Sequence, residues 1–143
     1  MMKLRELQNK IKAIDMQALK EQAVKDYADE IVKLNQMQLK LGRTKDGKYI
    51  SPSYSKAYLK RKRKMSSYVA PDGIPDLFLH GDFYREMEAI IEDSQYDVIS
   101  WDEKSKWLLP KYDDIFGLTK ENIEKIKPQI TNRLIELIKN KLN

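Results

Sequence analysis

The chain contains no cysteine. That excludes a disulfide scaffold and any thiolate-ligated metal centre. Histidine occurs once, at His80. Asp76 and Asp82 stand near it in sequence, but there is no second histidine and no serine elbow. A lone imidazole does not make a metal site without carboxylates at suitable spacing, so His80 reads as a turn or contact residue. Gly42 to Gly47 lacks the Gly-Lys-Ser/Thr ending of a phosphate-binding loop. No apolar run approaches the roughly 18 residues of a membrane helix. The charged start Met1-Met2-Lys3-Leu4-Arg5-Glu6 leads into no signal-peptide core, so the chain is expected to be soluble and made in the cytoplasm. These absences leave an expectation of no catalytic residue, no metal, no cofactor and no small-molecule substrate.

What the chain does have is charge. Charged residues make up 34% against 41% hydrophobic, with a formal net charge of +5. That is charge-rich for a compact globule and fits an elongated subunit, or one completed by its neighbours. At 143 residues a single domain is expected. Such a domain buries roughly 70% of its extended-state surface and needs no covalent staple.

Much of the positive charge sits in one run, Lys56-Ala57-Tyr58-Leu59-Lys60-Arg61-Lys62-Arg63-Lys64, with six cations in nine residues. They repel one another and gain from a polyanion or an acidic protein surface. Three readings stay open: a solvated helix face, docking onto an acidic neighbouring subunit, and contact with DNA phosphates. The last would be sequence-independent. The candidate contacts are Lys56, Tyr58, Lys60, Arg61, Lys62, Arg63 and Lys64, with Tyr54 and Tyr68 interleaved for base stacking. The acidic pairs Asp113-Asp114 and Glu92-Asp93 read as solvated loop carboxylates. A metal nuclease would need them to converge with a lysine.

Apolar spacing supplies the elements. Asp15 is a plausible N-cap. From Met16 through Leu19, Ala23, Val24, Tyr27, Ala28, Ile31, Val32 and Leu34 one stripe recurs at helical period, and Gly42 is a good stop. This predicts one helix of about 26 residues, roughly 39 Å long, preceded by a short helix around Leu4, Ile11 and Ile14. Turn formers make 42–53 and 65–76 flexible loops. A helix between them starts near Ser53 and carries the basic run. Strands are expected near 85–92 and 95–101. Residues 104–111 form a third strand or a helical turn anchored by Trp107, Leu108 and Leu109. Trp101 and Trp107 read as core or sheet-edge residues. Thr119 caps a closing helix that Pro128 breaks or kinks; Ile130, Leu134, Leu137 and Ile138 supply its apolar face. The fold class is α+β, with a long N-terminal helix on a small, mostly antiparallel sheet and helices at the C-terminus.

The segment Asp76-Leu77-Phe78-Leu79-His80-Gly81-Asp82-Phe83-Tyr84 resembles the L-x-x-T-G-D-F turn of tailed-phage virion-morphogenesis proteins. These are the small neck or tail-completion proteins of Mu-like and lambdoid phages. His80 stands where that family usually carries Thr or Ser. The order of a long helix, Ile50-Ser51-Pro52-Ser53-Tyr54, the Gly81 turn and a strand hairpin is similar too, as is Ile115-Phe116-Gly117-Leu118-Thr119. The resemblance spans about residues 15 to 142. It implies a non-enzymatic virion component at the head–tail connector or tail-completion ring, forming a homo-oligomeric ring with portal, connector or tail proteins as neighbours. It makes Leu79, His80, Gly81, Asp82 and Phe83 a candidate interface or turn motif. A ring lumen passes packaged DNA, so the basic helix would face that channel or an acidic collar. The alternative, from the residues alone, is a free non-specific nucleic-acid-binding protein.

Overall fold

A computed structural model describes residues 3–65, 73–78, 81–93, 95–112 and 114–143. Its N-terminal third is three helices: α1 (Leu4–Lys12), α2 (Met16–Lys25) and α3 (Ala28–Lys40). Asp15 caps α2 as expected, its Oδ1 accepting from the Ala18 amide at 3.1 Å. The single long stripe is divided between two helices in series. At the joint, Tyr27 leaves the helical region (φ −110°, ψ 13°), and its amide donates to Val24 O. The bend has a packing reason. The α2 half of the stripe lies on the C-terminal helix and the α3 half lies on the sheet, two partners that one straight stripe would not serve.

Gly42 ends α3 in the left-handed conformation, φ +72°. Its amide donates to Leu39 O and that of Arg43 to Gln38 O, both at 2.9 Å, the paired bonds of a Schellman stop. A Cβ on Gly42 would also lie 2.1 Å from Ile74 Cγ2, so both conformation and space demand glycine here. Residues 42–50 then fold back on themselves. Thr44 N donates to Lys48 O and Ile50 N to Gly42 O, each at 2.8 Å. The Arg43 guanidinium covers the Tyr49 ring at 3.8 Å.

Helix α4 (Lys56–Met65) carries the basic run, and the one-turn α5 (Asp82–Arg85) leads into the sheet. Strands β1 (Met87–Glu92) and β2 (Gln95–Ser100) pair antiparallel, with Met87 opposite Ser100 and Glu92 opposite Gln95. Met87, Ala89 and Ile91 alternate inward, as the two-residue period of a half-buried strand requires. They join Ile31, Leu39, Phe83, Val98, Ile115 and Ile126 in the core. Of the two options for 104–111, the helical one is observed: α6 spans Ser105–Lys111. Leu108 packs against the core, whereas Trp107 and Leu109 point outward, 67% and 44% exposed.

The closing helix α7 runs unbroken over Lys120–Leu142. Thr119 caps it, its Oγ1 accepting from Asn122 N at 3.3 Å. Pro128 does not end it. The proline faces solvent, while Ile126 before it and Ile130 after it stay packed on the core. Burial on both sides carries the helix through the missing amide. The architecture is α+β, and among the described residues no helix is long and apolar enough to cross a membrane.

Candidate interaction surface

Helix α4 has a thin inward edge made of Tyr58, Leu59 and Lys62, spaced so that they share one side of the helix. Tyr58 and Leu59 are half-buried there. Lys62 is only 1% exposed, which corrects its expected role as an outward contact. Its ammonium group is fully enclosed and paired with the fully enclosed carboxylate of Asp76. The helical phase that turns Lys62 inward turns Lys56, Lys60, Arg61, Arg63 and Lys64 outward, and all five are exposed. Among the described residues none of the five has a carboxylate within ion-pair distance.

Asp76 is the hub beneath the helix. Its Oδ1 accepts from Lys62 Nζ, from the Phe78 amide at 3.1 Å and from Tyr54 Oη at 3.4 Å. Its Oδ2 is buried with no hydrogen-bond partner among the described residues. The Asp76 carbonyl accepts from Tyr84 Oη. Tyr54 Oη in turn accepts from the Leu77 amide at 3.0 Å. Leu77 itself lies at φ +58°, an uncommon conformation for a bulky residue. Lys62 Nζ also lies 5.1 Å from the centre of the Tyr54 ring. Burial first, then the Asp76 charge, pushes the Tyr54 hydroxyl far above its ordinary 10.0. Tyr58 shifts the same way for the same two reasons. A raised tyrosine favours the fold while neutral, so this contribution is complete below about pH 10 and declines as pH rises beyond it.

Tyr54 is therefore occupied in the interior and does not serve as a free stacking platform. Tyr58 packs beside it, ring centroids 4.7 Å apart, with the Arg61 guanidinium 5.9 Å from the Tyr58 ring. Tyr68 lies outside the described residues.

The turn motif divides. Leu79 and His80 lie outside the described residues. Gly81 is buried at φ +84°, and its carbonyl accepts from the Arg85 amide at 2.9 Å. Asp82 pairs with Arg85 and, at 3.7 Å, with Lys104. Phe83 is a core residue at 2% exposure, stacked on Phe116 with centroids 5.7 Å apart. The glycine thus aims Asp82 outward and Phe83 inward, so Phe83 belongs to the turn and not to an outer contact. Between α4, this turn and α6 lies a cleft of about 300 Å³ lined by Tyr54, Tyr58, Phe83, Trp107 and Tyr112, with Lys104 and Lys111 adding positive charge. Of the acidic pair Asp113-Asp114, Asp113 lies outside the described residues. Asp114 pairs with Lys45 at 3.4 Å.

Two further residues, both on α3, belong to this framework although nothing in their type marks them. Asn35 is fully buried and Gln38 nearly so. Asn35 Nδ2 donates to Ile115 O at 3.0 Å, and its Oδ1 accepts from Gly117 N at 2.9 Å. Gln38 Nε2 donates to Gly117 O, and its Oε1 accepts from Thr119 N, both at 2.9 Å. These two amides fix the Ile115–Thr119 segment and so set where α7 begins. Their spacing from Ile31 was the available signal: positions four and seven further on fall on the same buried side. Lys62 carried a similar signal, three and four residues after Leu59 and Tyr58.

Comparison with protein-family models, with curated proteins and with solved structures finds no match for this chain.

Proposed function

We propose that this chain is a non-enzymatic structural subunit of a tailed-phage virion, at the head–tail neck or in the tail-completion ring. It would be made in the host bacterial cytoplasm and assembled through contacts with its own copies and with portal, connector or tail proteins. The observation that carries the reading is the construction of α4. Five cations project from a helix whose sixth, Lys62, is fastened into the interior by Asp76. A helix fixed in this way holds its charges in place for a macromolecular surface, since their loss of side-chain freedom on contact is the main remaining ordering cost. The Gly81 turn, hairpin and closing helix follow in the order that the resemblance implies, whereas its single long helix is divided into α2 and α3.

The test is genetic and structural together. Deleting the gene from its phage is expected to leave filled heads and finished tails unjoined, and wild-type particles are expected to contain the protein in a small fixed copy number. Purified particles that lack the protein overturn the reading.

The second reading is free, non-specific nucleic-acid binding, favoured by the same five cations, which have no carboxylate partner among the described residues, and by the nearby Tyr58. It predicts a logarithmic salt slope of about −4.5 on duplex DNA for five phosphate contacts. It also predicts loss of DNA retention when Lys60, Arg61 and Arg63 are changed to Gln. The virion reading predicts weak binding to free DNA and little change.

A further inference from the structure

The outer face of the hairpin is the electrostatic opposite of α4. Between Met87 and Ser100 the charged residues are Glu88, Glu92, Asp93 and Asp97, with no cation. The register sets Glu88 opposite Ile99, Ile90 opposite Asp97, and Glu92 opposite Gln95. Since Met87, Ala89 and Ile91 turn inward, Glu88, Ile90, Glu92, Asp97 and Ile99 share the face turned away from the core. Trp101 joins them. It is 65% exposed, and its Nε1 donates to Glu88 Oε2 at 2.6 Å. The result is an apolar strip of Ile90, Ile99 and Trp101 bordered by three carboxylates. Among the described residues none of Glu88, Glu92 and Asp97 is paired with a cation.

The dimensions also agree. Lys56, Lys60, Arg63 and Lys64 follow the spacing of one helix side, away from buried Lys62. Their row is about 12 Å long at 1.5 Å per residue. Glu88 and Glu92 are four strand residues apart, about 13 Å, and Asp97 falls between them on the neighbouring strand. Two rows of like length and opposite sign thus lie on one chain, each without a described partner.

We propose that the outer hairpin face of one copy receives helix α4 of a second copy. This deepens the ring reading and rests on it, by naming the two surfaces that meet. The surfaces differ, so the contact is heterologous: every copy offers one helix and one hairpin, and the series closes into a ring or extends as a filament. Trp101 is the natural anchor of the contact, while the charges steer and align it. A polyanion fits α4 equally well, but it would be repelled by the hairpin and would leave that face uncovered.

The experiment is sedimentation velocity on the full chain and on two variants with reversed charge. One carries Glu88→Lys, Glu92→Lys and Asp97→Lys; the other carries Lys56→Glu, Lys60→Glu and Arg63→Glu. Wild type is expected to form multimers at about 50 mM salt that dissociate near 500 mM, where screening shortens to a few ångströms. Each variant alone is expected to associate at least about 100-fold more weakly, because like charges then oppose. Their equimolar mixture is expected to regain assembly, each reversed surface meeting its reversed counterpart and each untouched surface its original one. Circular dichroism establishes that both variants are folded. If wild type assembles and the variants assemble equally well, this pairing is overturned while ring assembly by another surface stands. Folded variants whose mixture stays monomeric overturn the pairing as well. Wild type that is monomeric at every salt, or that gathers only on added duplex DNA, overturns both the pairing and the ring reading.

Discussion

Helices α3 and α4 both bury polar side chains, and they do so by different chemistry. In α3 the buried groups are neutral. Asn35 and Gln38 spend their amides on the backbone of residues 115–119, and Ile31 and Leu39 beside them are almost wholly enclosed. In α4 the buried group is an ammonium facing a carboxylate that has one oxygen without a described partner, and the apolar edge around it is thin. Neutral amides with satisfied bonds are inexpensive to enclose, whereas a charged pair returns little net stability but is costly to break. The lesson is that α3 is held as part of the core, while α4 is fastened at one ionic point so that the rest of its charge stays outside.

The largest expected effect tests that fastening. Lys62→Ala strands the Asp76 carboxylate in the interior and should lower stability by about 3–5 kcal/mol. Lys60→Ala, two residues earlier and on the outer side of the helix, should stay within about 0.5 kcal/mol. Denaturant titration of both variants checks the contrast. Equal effects would mean that Lys62 is not the anchor. Next in size is Asn35→Leu, which removes two hydrogen bonds and leaves Gly117 N and Ile115 O unpaired. A loss of about 1–3 kcal/mol is expected, with amide exchange accelerated at residues 115–119. Unchanged exchange there would place the segment's restraint elsewhere.

The smallest effect concerns the α2–α7 contact, where Arg133 Nε meets Asp26 Oδ2 at 2.7 Å. The hydrogen bond from Arg133 holds the Asp26 carboxyl below its ordinary 3.8. A lowered acid favours the fold while ionised, so the contribution is present above about pH 4 and is lost as pH falls through the folded value. Asp26→Asn should cost at most about 1 kcal/mol at neutral pH, the ordinary worth of an exposed pair. The difference from wild type should shrink toward pH 2 in thermal melts. A variant difference that persists at that pH would point to packing, not charge.

Much of this fold was legible in the residues. Asp15, Gly42 and Thr119 act locally through their own side chain or backbone freedom, and each ends or begins a helix where its chemistry predicts. The hairpin was legible because its alternation is local as well. The division of the α2–α3 stripe was not, since it depends on two distant partners, α7 and β1, competing for one apolar line. The passage of α7 through Pro128 likewise depends on core contacts made on either side of it. At the interaction surface, the run of cations announced itself but its geometry did not. One of the six cations, Lys62, faces inward, and the acid that receives it stands 14 residues away. The outward tryptophans Trp101 and Trp107 could not be told from core residues by type alone.

A contact between α4 of one copy and the hairpin of the next would bring lysine amines within coupling reach of carboxylates. The most direct measurement is zero-length carbodiimide coupling in an equimolar mixture of isotopically light and heavy protein, read by mass spectrometry. Light–heavy peptide pairs joining Lys56, Lys60 or Lys64 to Glu88, Glu92 or Asp97 are expected, fading as salt is raised. Couplings confined to single copies, or mixed-isotope couplings that avoid the hairpin acids altogether, would contradict that contact.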